Sequence, residues 1–439
     1  MPTDSRGLEF TTSNDAAVAA FDHVLEGYLG LSVDTGERLK AVFAADADMP
    51  MAQVLKGYFF MLMGAGPLKA KAGEIASGVA ASLAGATKRE QMHGLALSAW
   101  AAGRWRDALD LWDGILLENP RDILAMRLAH HGYFYQGDSQ NLRDVVARNL
   151  HAWDTDVQGY GFVMGMRAFG LEETHAYETA IEAGQLALSI NPNDPWAIHA
   201  VAHVYEMIDQ PAEGIAWITD NEPGWVGCNN FKGHLYWHRA LMRLDRGEYD
   251  EAIAIFDDYL WDPKSTEYLD FCNYASLLQR LELHGQDVGE RWLALAEMAK
   301  GRTHEHIVTF ADVHFALALA AAKAPEAAEI VESMQNYAAE SDEDNADVAA
   351  AIGLPLAEAL LAYQAGEFGE CVERLHPIRY GLPFMGGSHA QRDLFAMLLI
   401  DAALRSGNNN VARALAAERL CRMPDNAWAH GAFERAFGS

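Results

Sequence analysis

The feature that most limits how this chain can fold is a punctuation that returns five times. Gly103-Arg104-Trp105 opens an apolar, helix-period segment that contains Ala108 and ends at Asn119-Pro120. Tyr177 to Ala180 opens one that ends at Asn191-Pro192, and Gly247 to Ala252 opens one that ends at Asp262-Pro263. Gly366 to Cys371 opens a fourth, and Asn408 to Ala412 opens a fifth that ends at Met423-Pro424. Ala108 to Pro120, Ala180 to Pro192 and Ala412 to Pro424 keep one spacing; Pro263 comes one residue early and Cys371 takes the alanine slot. A small residue lets two helices close on each other, and proline lacks the N–H needed to continue one. Alternating runs of Val, Ile and Thr are missing, so the expectation is all-α.

This punctuation looks like tetratricopeptide repeats, and stacked helix pairs of that kind form a superhelix. It can close around a central pocket. Three regions are expected: an N-terminal helical region over 1–102, repeats over 103–340, and C-terminal repeats with a cap over 341–439. In the first region, Asn14 or Asp15 caps a helix over Ala16 to Leu29, and further helices run from Ala52 to Met63, Leu68 to Leu83 and Arg89 to Ala101. Asp194 caps a helix that starts at Pro195. Loops are expected at Asn221 to Gly224, Ser341 to Asp347 and Gly381 to Gly387, and Ser388 with Gln391 reads as a capping box.

Two inner helices carry most of the side chains able to do chemistry. Spacings of four and seven put His199, His203 and Glu206 on one helix face, and spacings of four put Asn230, His234 and His238 on another. Other inner helices add His130, then Asp270 and Asn273, then Asp312 and His314, then His389, Arg392 and Asp393. In a helical-repeat array such helices stand side by side, so these groups can converge on one pocket. The bland alternative is that imidazoles simply hydrogen-bond between layers, since each offers one donor and one acceptor.

Composition removes several classes of partner. The 439 residues carry a formal net charge of −29 with a pI near 4.8. Phosphate backbones and anionic membrane surfaces repel such a chain, so neither nucleic acid nor membrane is expected as a partner. The apolar run from Tyr58 to Met63 is far below the ~20 residues a bilayer crossing needs. The N-terminus shows no signal-peptide pattern. Cys228, Cys272, Cys371 and Cys421 are scattered without a Cys-x-x-Cys pair, which argues for a reducing compartment and against a thiolate zinc site. A cytoplasmic protein is the expectation.

The chemistry open to the histidines divides in two. Neutral imidazoles at a spacing of four are standard metal ligands, so a metal, if bound, would sit on His199, His203, His234 and His238. Ala200 follows His199, so the metalloprotease pattern with its general base is absent. Without a metal, His203 and His238 can act as acid and base, and Glu206 facing His203 would fix its tautomer. Arg392 can hold an anionic group, or else pair with Asp393. Trp153, Tyr160, Trp196, Tyr236, Trp237 and Trp261 are candidates for an apolar pocket wall or for core. Cys228 is a weak nucleophile candidate, Ser388 is better read as a cap, and no nucleophile-elbow, phosphate-loop or dinucleotide motif occurs.

Five stretches together carry a closer resemblance. They are Leu128-Ala129-His130 with Tyr133 to Gly137; Ala168 to Glu173; His199 to Met207; His234 to Leu241; and Gly386 to Asp393. In this order the chain resembles the tetratricopeptide repeat protein 38 family over nearly its whole length. His130-His131 stands where that family commonly has His-Asp. The resemblance implies a cytosolic helical-repeat fold and brings no established activity.

The functional expectation is a His-rich central pocket for a small polar or anionic molecule. His203, His238 and Glu206 are its catalytic candidates; His130, His199, His234, Asp270, His314, His389 and Arg392 are its binding candidates. No cofactor is required, although a metal ion fits; any catalysis would be hydrolase- or lyase-like. The alternative is a scaffold that holds a protein partner's peptide in its concave groove. Apolar terminal helices leave room for a homodimer.

Overall fold

The computed structural model describes residues 1–438. Among them helices account for nearly all regular structure; the sole strand-like features are isolated bridges between Thr3 and Glu9 and between Ser32 and Cys228. The helices pack as successive pairs, the tetratricopeptide-like arrangement that the punctuation announces. Ala108, Ala180, Ala252 and Ala412 are each fully buried, and Cys371 in the fourth alanine slot is buried as well. A larger side chain there would force the paired helices apart.

The chain forms two compact units. The first comprises Met1–Phe134, Asp138–Val201 and Asn221–Lys232; the second comprises Tyr135–Gly137, Ala202–Asp220 and Gly233–Ser439. In the first, Asp15–Leu29 packs on Thr35–Ala45, Pro50–Leu62 on Gly66–Leu83, Lys88–Ala101 on Trp105–Glu118, and Tyr160–Glu172 on Tyr177–Ile190. Asn14 caps the first of these helices by accepting from the Ala16 N–H at 3.0 Å. Asp194 accepts from the N–H groups of Trp196 and Ala197 at 3.0 and 3.2 Å, which starts the Pro195–Met207 helix as expected.

In the second unit the Tyr268–Leu283 helix is the centre. It packs against Thr309–Ala321 and His389–Arg405. Nearly all its side chains are buried, including Asp270, Asn273, Ser276, Gln279 and Arg280. A helix buried on every side must pair its polar groups with other protein groups, and that need builds the site described below. The Ser388–Gln391 capping box forms with both of its bonds. The stretch Asp344–Ala365 is long and apolar enough to cross a membrane, but Leu356, Ala357 and Leu360 on it are core residues of this unit.

Three local expectations are corrected. Glu222–Trp225 is a helical turn rather than loop, because Pro223 suits a first turn. The acidic stretch becomes helical from Asp344, where acidic residues favour a helix N-terminus. Asn230 precedes the Phe231–Asp245 helix and so does not extend the face of His234 and His238.

Candidate functional site

The second unit brings His203, His234, His238 and Glu206 together from two helices. The rings of His203 and His238 are 4.3 Å apart, those of His234 and His238 4.7 Å, and a ligand nitrogen from each of the three lies within 4.8 Å of the others. Each outer contact is polar. Nδ1 of His238 lies 2.7 Å from Oε2 of Glu206, and Nδ1 of His234 lies 3.0 Å from Oδ1 of Asn273. The flat side of Trp237 stacks on His234 at 5.1 Å. The expected Glu206–His203 pairing is therefore corrected. On one helix Glu206 sits three residues from His203, but its carboxyl reaches the neighbouring helix instead.

Burial sets the protonation states here. It lowers His238 to about 3, with the nearby Arg280 charge adding to the effect. It also holds His203 and His234 well below the usual imidazole range, and neighbouring imidazoles push the same way. Burial raises Glu206 to about 8, against the pull of Arg280. Near neutral pH the Glu206–His238 contact is thus a carboxylic acid beside a neutral imidazole rather than an ion pair.

A cavity of about 560 Å³ adjoins this cluster, and Glu206, His389 and Arg392 are the expected site residues in its wall. His203, His234 and His238 lie outside that wall, buried. Arg280, Arg379, Arg392, Arg419 and Arg422 line the cavity against the carboxyls of Glu206, Asp245, Asp393 and Glu418. Burial raises Asp245 to about 7, although Arg419 opposes it. Burial would also raise Asp393, but the charge and hydrogen bond of Arg419 more than offset this and hold it ionised. Five guanidiniums thus face four carboxyls, two of which are pushed toward neutrality. The wall is net positive in a chain of net charge −29.

The arginines are held in place from behind. Arg280 donates to the Ala390 carbonyl at 2.6 Å and to the Ser276 hydroxyl, and lies 5.7 Å over the Trp237 ring. Arg392 donates to the Gly387 carbonyl and lies 3.3 Å from Nδ1 of His389. Asp393, the alternative partner for Arg392, pairs with Arg419. Leu244, Asp245 and His284 also line a larger cleft of about 930 Å³, so one wall separates the two spaces.

The remaining expected residues are not in the cavity wall. Asp270 accepts from the Ser265 hydroxyl at 2.6 Å, and His314 donates from Nδ1 to the Phe310 carbonyl at 2.7 Å; neither is in the cavity wall. His130 and His199 belong to the first unit. His130 donates to the Leu142 carbonyl at 3.0 Å, and His199 sits among the rings of Phe169, Trp196 and Phe231 at 5.5, 5.2 and 5.0 Å. Burial raises the Cys228 thiol to about 11, which disqualifies it as a ready nucleophile.

Sequence reasoning missed Arg280, Asp245 and Arg419. The signal was present for Arg280. It follows Ser276 by one turn on a helix buried on nearly every side, and a charge so placed has to be used.

No protein-family model matches the chain. Among solved structures it is similar to a human IFIT1 dimer with m7Gppp-AAAA, at 13% identity over 98% of this chain and 96% of that one, with a TM-score of 0.41. It is also similar to yeast Tom70, at 14% identity over 96% and 95% with a TM-score of 0.35. MamA is 16% identical over 37% of this chain and 91% of that one, with a TM-score of 0.30. Likeness at this distance says nothing of ligands. What the chain's own helix pairs establish is a tetratricopeptide-like helical-repeat protein.

Proposed function

We propose that this is a cytoplasmic small-molecule-binding protein that takes an anionic metabolite, carrying carboxylate or phosphate, into the arginine-lined cavity of its second unit. The observation that carries the reading is the net positive wall inside a strongly acidic chain. Guanidinium is the side chain suited to planar, two-pronged recognition of such groups. The position of Glu206 in the wall, bonded to His238 behind it, gives the bound molecule a neighbouring proton donor and hence a route to acid–base chemistry. On its ordered motifs, we also assign the chain to the tetratricopeptide repeat protein 38 family.

Thermal-shift screening with dicarboxylates and phosphate esters tests the reading. At least one should raise the melting temperature, and Arg392→Gln with Arg422→Gln should abolish the shift. A panel that stabilises nothing, or a shift that survives both substitutions, would sink it.

A second reading has its own support. His234 and His238 engage Asn273 and Glu206 through Nδ1, which leaves Nε2 of each on the other side of the ring. Metal-ligating histidines are held in this way, by a carboxylate or carbonyl on the far nitrogen. With His203 they offer three neutral imidazoles that fit a borderline metal such as zinc, which would supply a Lewis acid beside the cavity.

A further inference from the structure

Away from that cavity, the second unit holds another group of reactive side chains. Ser333 sits on the Glu326–Glu340 helix, and its hydroxyl lies 2.7 Å from Nε2 of His306 and 2.7 Å from Nδ1 of His304. Each imidazole has an acidic side chain near its far nitrogen, within hydrogen-bond reach for His304 and as a close approach without a formed hydrogen bond for His306. Nδ1 of His306 is 3.3 Å from Oδ2 of Asp312, and Nε2 of His304 is 2.9 Å from Oε1 of Glu329. The hydroxyl has one proton, so it donates to one ring and accepts from the other. Whichever ring takes the proton has an acidic side chain beside it, Asp312 for His306 and Glu329 for His304.

We propose that Ser333 is the nucleophile of an independent site that cleaves small, uncharged or cationic acyl esters, with His306 as its base and Asp312 as the residue that positions His306. His306 is the better-fixed ring. It is buried, stacks on Tyr337 at 5.0 Å, and holds φ at +47° while its carbonyl accepts from Asn345 at 2.8 Å. A non-glycine residue in the left-handed region persists only where its surroundings over-determine it, and such residues cluster at functional sites. Ser333 and both imidazoles open into a cavity of about 550 Å³. Glu329, Glu332 and Glu340 line it as well, so it disfavours the anions that the arginine-lined cavity suits. Asn336, one turn beyond Ser333 on the same helix, is the amide donor that this cavity offers to a developing oxyanion.

The chemistry balances without a cofactor. Oγ of Ser333 attacks the acyl carbon as its proton passes to Nε2 of His306; the ester C–O bond breaks and the leaving alcohol takes that proton back. Water then attacks the acyl-serine through the same ring, giving the acid and restoring the hydroxyl.

The test uses the full chain, a fluorophosphonate probe and p-nitrophenyl acetate. Displacement of fluoride should leave one phosphonyl adduct, mapped by peptide mass spectrometry to Ser333, and heat-denatured protein should carry none. Ser333→Ala should lose the adduct and hydrolyse the acetate roughly a hundredfold more slowly. No adduct on native protein, an adduct elsewhere, or undiminished hydrolysis by Ser333→Ala would each overturn the proposal, the last assigning the activity to the imidazoles alone. The wild-type adduct alone decides the matter if the variant fails to fold.

Discussion

Glu206 and His238 meet at 2.7 Å across two helices of the second unit, both buried, one as a carboxyl raised by burial and the other as an imidazole lowered by it. The pair spans the wall between the arginine-lined cavity and the imidazole cluster. Glu206→Ala strands a buried ring nitrogen, so it should cost about 1–3 kcal/mol, while Glu206→Gln keeps a hydrogen-bonding partner there and should cost less. Urea unfolding of the two variants measures this, and equal losses would show that the contact is not what holds His238.

Stability should depend on pH with two opposing slopes. Burial lowers His131 and His238 to about 3 and His284 and His314 to about 4, whereas unfolded imidazoles titrate near 6.5. Below pH ~6.5 the unfolded chain therefore binds more protons, and stability is lost as pH falls, by about 1.4 kcal/mol per unit for each such ring. Burial raises Asp194 and Asp245 to about 7 from 3.8. Their contribution is complete below pH ~4 and is lost as pH rises toward 7, because there the folded state holds the extra proton. Chemical denaturation from pH 4.5 to 8.5 should show steep destabilisation on the acid side, and Asp245→Asn should remove about one proton's worth of the opposing slope. An unchanged profile in that variant would mean that Asp245 is ionised in the folded protein.

Gly137 and Pro383 fix a turn of the second unit. Gly137 has φ of +67°, and a Cβ there would lie 1.9 Å from the Pro383 carbonyl oxygen. Neither the backbone conformation nor the clash can be relieved by a rotamer change, so Gly137→Ala should cost upward of about 2 kcal/mol. Gly407→Ala, at φ of +76° but with open space around it, should cost less. Melting temperatures of the two compare sterics plus strain with strain alone.

Elemental analysis of tag-free protein separates the two readings of the histidines. A metal centre predicts about one equivalent of zinc, iron or manganese per chain, lost in His203→Ala and His238→Ala. Metal at background level in protein purified without chelator would leave the imidazoles to hydrogen bonding and proton transfer.

The helices were legible because their signals are local. Asn14, Asp194 and Ser388 each cap where their side chains predict, and the small residues Ala108, Ala180, Ala252 and Ala412 are buried where the punctuation places them. The clustering of His203, His234 and His238 was legible from helical spacing. What spacing cannot give is the partner across the gap between helices. Glu206 was read against His203, and Asp393 was weighed only as an alternative partner for Arg392, whereas Glu206 bonds His238 and Asp393 bonds Arg419. The Ser333 group was invisible for the same reason, since it joins a turn, two helices and a left-handed residue that no pattern marks. Two stretches behind the family resemblance do gain a physical reason: Gly386 is packed so closely that a Cβ there would lie 2.9 Å from the Tyr135 carbonyl oxygen.

Each compact unit is assembled from pieces of chain that are not consecutive: Tyr135–Gly137 belongs to the second while residues on both sides belong to the first, and the Pro195–Met207 helix changes membership after Val201. No single cut in the polypeptide releases either unit whole. Fragments drawn at repeat boundaries therefore leave buried faces without their partners, and co-expression of complementary pieces restores those contacts.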